Sequence, residues 1–235
     1  MSDLPPTASP PSPPRPASTV VVLRPSPAGP EVLMVRRHRG ASFMADAYVF
    51  PGGRVEPEDG EPPISFAVAA ARELREEAAL DVPVPALVEF AHWITPSAEP
   101  KRFDAHFFVT VAGGQQVARH DTVETVDSLW ATPRELLERY GRGELKLPPP
   151  TICNLEDLSS HKTVEDALEW ARKRPFLPIL PKLVHKADTL AIVLPWDPEY
   201  SSLPGEGQPI DPAHPIARGR SRFVLENGRW WGKQA

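Results

Sequence analysis

The sequence predicts an α/β layered domain, on three observations. Short β-branched runs recur along the chain, punctuated by Pro and Gly. Helical stretches fall between those runs rather than in a separate block. One stretch, Ser65 to about Ala79, carries an alanine-rich apolar stripe beside a row of carboxylates. Interleaved strands and helices call for layered packing, because each element must bury one face against another. The 235 residues suffice for a sizeable core, with 41% hydrophobic and 24% charged residues, as in ordinary globular proteins. Proline is the outlier at 31 residues, which predicts long, stiff loops around a compact body.

Taken in order, residues 1–17 (MSDLPPTASPPSPPRPA) are Pro/Ser-rich and short of large apolar side chains. Such a segment cannot offset its own ordering entropy and is expected to be a disordered tail. Thr19–Leu23 and Glu31–Arg36 read as a hairpin across Pro25, Pro27 and Gly29, and Ala47–Phe50 as a short strand ended by Pro51-Gly52-Gly53. The helix from Ser65 has six alanines and no internal Gly or Pro, with Pro62-Pro63 just before it. Strands resume at Leu87–Thr95, Arg102–Val111 and Ser128–Trp130. Helices are expected at Pro133–Tyr140, stopped by Gly141, and at Thr163–Arg174, capped by Thr163. Thr189–Leu194 and Ser221–Leu225 complete the strands, and no internal repeat is visible.

The formal net charge of −5 argues against nucleic acid or an anionic membrane surface as partner. The single cysteine, Cys153, cannot form an intramolecular disulfide, and no Cys/His set has zinc spacing. His92 and His106 fall in strands and His38 in a loop, none with a partner at ligand spacing. No apolar run approaches the ~18 residues of a membrane span, and the N-terminus lacks a signal-peptide layout. The expectation is a soluble, cytoplasmic protein.

The chemistry sits on the central helix. Glu73, Glu76 and Glu77, spaced i, i+3 and i+4, fall within an arc of ~100°, beside an apolar stripe of Ala67, Ala70, Ala71, Leu74 and Ala78. Three crowded carboxylates repel one another unless a cation sits among them, and a hard divalent ion would relieve the repulsion. Taken alone, the row also reads as a solvated acidic face balanced by Arg72 and Arg75. The preceding strand end, Phe50-Pro51-Gly52-Gly53, lets backbone approach a ligand closely, and the acidic loop Arg54–Glu61 follows it.

This layout resembles the Nudix box: a glycine, five residues, a glutamate, seven residues, then R-E-U-x-E-E-x-G-U, where U is a bulky aliphatic residue. Gly53 matches the first glycine, Arg72-Glu73-Leu74-Arg75-Glu76-Glu77 the core, and Leu80 the final U. Two departures stand out. The interval from Gly53 to Arg72 is lengthened by about five residues relative to that pattern, which leaves Glu56, Asp59 and Glu61 as rivals for the upstream acid. Ala79 replaces the second glycine, so the helix is expected to run slightly further. The segments RPSPAGPEVLMVRR, ASFMADAYVFPGGRVEPED, FAHWITP and KRFDAHFF, with Pro149-Pro150-Thr151 and Leu194–Tyr200, are similar to the branch holding peroxisomal coenzyme A diphosphatases and their bacterial relatives.

The resemblance implies a Nudix-type α/β/α sandwich with a mixed sheet, one domain over 18–235, and a C-terminal helical and strand extension over about 147–235. It implies a hydrolase that cleaves the diphosphate of a nucleoside diphosphate conjugate, coenzyme A or acyl-coenzyme A. ADP-ribose or NADH is the alternative substrate, and a non-catalytic nucleotide-binding regulator the alternative class. Mg²⁺ or Mn²⁺ would be held by Glu73, Glu76, Glu77 and the Gly53 carbonyl, with Glu76 or Glu77 contacting the attacking water and Arg72 orienting a glutamate. Glu124 is a candidate further metal or base residue, with Asp127 its competitor. Arg37, Arg39 and Arg102 are the candidates for the substrate's phosphates. Trp93, Trp130, Trp196, Trp230 and Trp231 are expected in the core, and Cys153 is read as structural. Many members dimerise, so a homodimer is compatible, and the Pro-rich loop Leu203–Pro215 favours a lid role for the extension.

Overall fold

The computed structural model describes residues 11–40, 44–113, 125–186, 189–217 and 219–233. The first half holds β1 (Arg15–Arg24), β2 (Glu31–Arg37), β3 (Tyr48–Val49), β4 (Gly52–Arg54), α1 (Ile64–Ala78), β5 (Val88–Ile94), β6 (Phe103–Val111) and β7 (Thr125–Ala131). Then come α2 (Pro133–Arg142), α3 (Pro149–Leu158), α4 (Val164–Lys173), β8 (Pro178–Ile179), β9 (Lys182–Lys186), β10 (Thr189–Val193), β11 (Arg222–Glu226) and β12 (Arg229–Lys233).

The main sheet runs β3-β2-β1-β6-β5-β8, with β4 also paired to β1 and β7 to β2. β1 and β6 are parallel, as are β5 and β8, while the other pairs are antiparallel, so the sheet is mixed. Strand alternation explains how one β-branched run serves two layers. Val20 and Val22 pack with Leu33, Phe108 and the α1 residues Phe66, Ala70 and Leu74. Val21 and Leu23 point the other way, into a cluster with Leu136 of α2, Ile152 and Leu155 of α3, and Ala167 of α4. The result is the expected α/β/α sandwich. A second sheet, β12-β11-β10-β9, joins that second cluster through Ile192 and Phe223. Among the described residues no helix is long and apolar enough to cross a membrane.

Several boundaries differ from the sequence expectation. β1 starts at Arg15, so residues 15–17 of the expected tail are strand. The Arg15 amide donates to the Arg102 carbonyl at 2.9 Å and the Val55 amide to the Pro16 carbonyl at 3.0 Å. Neighbouring strands thus supply the partners that the segment's composition lacks, and Pro16 needs only its acceptor. α2 passes through Gly141 and ends at Gly143, which takes a left-handed conformation with φ 84°. Helix α3 starts inside a Pro-rich stretch. Prolines at its first two positions (Pro149, Pro150) sit where amides lack helical partners anyway. Finally, α1 does not run on past Ala78: Ala79 adopts φ 54°, ψ 33° despite its side chain, and its amide donates to the Arg75 carbonyl at 3.0 Å.

Candidate active site

Helix α1 presents an apolar face to the sheet and an acidic edge to the β4 turn. Its buried residues are Ser65, Phe66, Ala69, Ala70, Leu74, Glu77 and Ala78, so the apolar stripe is turned from the expected one: Ala69 is inside, and Ala67 and Ala71 are half-buried. Ser18 of β1 fixes the first turn by donating its hydroxyl to the Phe66 carbonyl at 2.6 Å. Glu77 fixes the far end by accepting the Gly52 amide at 2.9 Å. Burial of Glu77, 4% exposed, is tolerable only because its charge is hydrogen-bonded.

The turn needs both glycines, for different reasons. A Cβ on Gly52 would lie 2.2 Å from the Ser18 carbonyl oxygen and 2.7 Å from Thr19 Cα, which is backbone that cannot yield. A Cβ on Gly53 would instead lie 2.3–2.5 Å from the carboxylate atoms of Glu73. Gly53 therefore provides the room in which that carboxylate sits.

Arg72 organises the cluster. Its Nε and Nη2 donate to the two oxygens of Asp59 at 3.0 and 2.9 Å, Nη1 donates to Glu73 at 2.9 Å and Glu76 at 3.0 Å, and Nη2 also donates to the Arg54 carbonyl at 2.9 Å. Two-pronged pairing of this kind fixes orientation as well as charge. Of the three rival upstream acids, Asp59 is the one that Arg72 engages. It closes the short 3₁₀ turn Pro57–Asp59 by accepting the Glu56 amide at 2.8 Å. The Arg72 hydrogen bonds hold the Asp59 carboxyl below the usual carboxylate range, and Asp59 in turn holds the guanidinium charged. Arg72 engages three carboxylates, and Glu77 beside them adds a fourth, so the set stays net negative. Its donors are all oxygen, and Gly53 leaves Glu73 the space that a side chain would take. That set fits a hard divalent cation held by Glu73, Glu76, Glu77 and the Gly53 carbonyl.

The other candidates divide. Glu124 lies outside the described residues, and its competitor Asp127 accepts the Tyr48 hydroxyl at 2.8 Å. Arg37 ends β2 opposite Thr125, and Arg39, with an 80% exposed side chain, stands 3.6 Å from Asp46. Arg102 is buried and already engaged. Its side chain is only 2% exposed and donates to the Thr95 carbonyl at 3.1 Å, the Ser12 carbonyl at 2.9 Å and Glu206 at 2.9 Å. A guanidinium so engaged ties three loops together instead of meeting a substrate phosphate. Trp93 and Trp196 are buried as expected, and Trp130 and Trp230 pack half-buried against the core, whereas Trp231 is 37% exposed under Arg229 at 4.6 Å. Burial pushes the Cys153 thiol up, away from reactivity.

One group was missed by sequence reasoning. Ligand atoms of His92, Asp104 and His106 lie within 4.8 Å of one another. The antiparallel register that sets His92 opposite His106 bridges a gap that linear spacing does not show.

The NUDIX domain model matches residues 13–149. Nudix hydrolase 7 of Caenorhabditis elegans is 26% identical over 183 residues, covering 63% of this chain and 62% of that protein. The acyl-coenzyme A diphosphatase NUDT19 of Homo sapiens is 28% identical over 120 residues, covering 49% of this chain and 32% of that protein. A NUDIX hydrolase crystal structure from Alicyclobacillus acidocaldarius superposes with a TM-score of 0.62 at 26% identity, over 70% of this chain and 99% of that one. The chain thus spans less than two thirds of the curated relatives it matches. With the box built as described, the chain belongs to the NUDIX domain family. Those relatives carry the name Nudix hydrolase or, for NUDT19, acyl-coenzyme A diphosphatase.

Proposed function

We propose that the chain is a divalent-metal-dependent hydrolase that opens the diphosphate of a nucleoside diphosphate conjugate, with coenzyme A or an acyl-coenzyme A as substrate. The observation that carries the reaction type is the carboxylate row of α1, held by Arg72 against the Gly52–Gly53 turn. The substrate choice is supported by the coenzyme A branch segments and by the name of the NUDT19 relatives, acyl-coenzyme A diphosphatase.

A bound Mg²⁺ or Mn²⁺ would neutralise the diphosphate oxygens and acidify water. The residues divide the remaining work by depth. Glu77 is buried and anchored on the Gly52 amide, so it is the fixed ligand. Glu73, with a 14% exposed side chain beside Gly53, shares that role with the Gly53 carbonyl. Glu76, whose side chain is 54% exposed, stands where water arrives and is suited to accept its proton. Arg72 keeps Glu73 and Glu76 in register through one shared nitrogen, a preorganisation that costs nothing at the moment of reaction.

The test is product analysis with Mg²⁺ on coenzyme A, acetyl-coenzyme A, ADP-ribose and NADH. Release of 3′,5′-ADP from either coenzyme A substrate is the expected result. Cleavage of ADP-ribose or NADH alone would keep the reaction and replace the substrate. Binding without turnover of any of the four, at any Mg²⁺ or Mn²⁺ level, would overturn the reading in favour of a nucleotide-binding regulator.

A further inference from the structure

Beyond the carboxylate row, the α1 face of the sheet carries a second polar cluster, built from nitrogen as well as oxygen donors. His92 on β5 sits directly opposite His106 on β6. Their rings stack at 4.1 Å, and the Phe66 ring lies 3.7 Å from that of His106. Asp104, two residues before His106 and so on the same face, contacts His92 through Nε2. Glu89 sits 2.6 Å from His106 Nδ1. The His92 and His106 side chains are 13% and 17% exposed, and those of Asp104 and Glu89 30% and 32%: sheltered, yet reachable from solvent.

We propose that His92, Asp104 and His106 form a second metal site, which takes a divalent transition-metal ion such as Zn²⁺ and is separate from the carboxylate site. Three observations converge. The three ligand atoms already lie within 4.8 Å of one another, and around a zinc ion with ~2.0 Å tetrahedral bonds they would stand roughly 3.3 Å apart, so His92 and Asp104 would part from their direct contact to admit it. Two imidazoles held face to face beside two carboxylates form a mixed N/O set, which selects borderline cations over Mg²⁺. Glu89 against Nδ1 holds the proton on that nitrogen and leaves the Nε2 lone pair of His106 for the metal, the usual second carboxylate behind a ligating histidine.

The two sites are also apart. Gly53 and His106 both pair with Ser18 of β1, on its two sides, so two strand spacings, roughly 10 Å, separate the Gly53 turn from the histidine pair. The ion would cross-link β5 to β6 where the helix begins, so its binding adds to stability through linkage.

The test is equilibrium dialysis of the metal-stripped full chain against Zn²⁺ in excess Mg²⁺, with Co²⁺ absorption spectra as a second readout. The expected result is one Zn²⁺ per chain, with affinity at least tenfold weaker in His92→Ala and His106→Ala and 10- to 100-fold weaker in Glu89→Gln. Glu77→Gln should leave zinc binding unchanged, which separates this site from the carboxylate site and from the proposed hydrolysis. Circular dichroism establishes that each variant is folded, and Glu89→Gln alone decides the matter should a histidine variant unfold. No stoichiometric zinc on the wild-type chain, equal zinc on a folded histidine variant or on Glu89→Gln, or loss of zinc with Glu77→Gln would each overturn the proposal.

Discussion

Arg72 grips Asp59 with two nitrogens, at 3.0 and 2.9 Å, and so pins the acidic loop to the helix that carries Glu73, Glu76 and Glu77. Because the pair lowers the Asp59 carboxyl below its ordinary value of 3.8, the unfolded chain binds the proton more readily than the folded one. The stability from this pair is therefore full above the ordinary value and is lost as pH falls through the depressed one. Asp59→Asn should lower unfolding stability by roughly 2 kcal/mol at neutral pH. The gap between wild type and variant should close as pH falls below about 4 and through the depressed value. Denaturant melts across that range check both parts, and a constant gap would mean that the pair adds no charge-dependent stability.

Gly52 and Gly53 should fail differently when given a side chain. In Gly52→Ala the new carbon meets strand backbone at 2.2 Å, so the turn itself must shift, at a cost of roughly 2–4 kcal/mol. In Gly53→Ala it meets only the mobile end of Glu73, so the fold should survive with less than about 1 kcal/mol lost. Displacing Glu73 should nonetheless cut turnover roughly 10- to 100-fold. Paired thermal melts and steady-state rates would show the separation; equal effects of the two variants on both would refute it.

Ala79 holds a left-handed conformation that its Cβ disfavours. Ala79→Gly should raise stability by roughly 0.5–1 kcal/mol, the strain relieved less the added freedom of the unfolded chain. Turnover should not change, since Ala79 is past the last carboxylate. A denaturant midpoint that stays put or falls would contradict this.

For Arg102, the structure predicts a stability role. Arg102→Ala leaves the Ser12 and Thr95 carbonyls and Glu206 without their donor and should cost roughly 2–4 kcal/mol. The KM for the substrate should hold within about twofold at a temperature where the variant remains folded, since no phosphate contact is removed. A raised KM with unchanged melting would restore the phosphate-binding assignment.

The parts of the site that lie close in sequence were readable directly. Helical spacing places Glu73, Glu76 and Glu77 together whatever the rest of the chain does, and the Gly pair marks the turn. Counting from Gly53 puts Asp59 at the pattern's interval but leaves Glu56 and Glu61 close by; a 3₁₀ turn inserts Asp59 under Arg72. The setting of Arg102 was not legible either, because its partners Ser12 and Glu206 lie about ninety or more residues away in sequence. The His92–His106 pairing required the β5–β6 register, and the start of β1 at Arg15 required β6 and the β4 edge as partners. These last contacts join segments far apart in sequence, which local pattern does not encode, whereas the ends of α1 and α2 turn on local backbone conformation at Ala79 and Gly143.

The most direct test of the central claim compares Mg²⁺-dependent coenzyme A hydrolysis by wild type and Glu77→Gln, with melting curves on both. The account predicts a folded variant whose rate falls by at least about 100-fold at every Mg²⁺ concentration. A folded Glu77→Gln protein with full metal-dependent turnover would show that the carboxylate row of α1 does not carry the reaction.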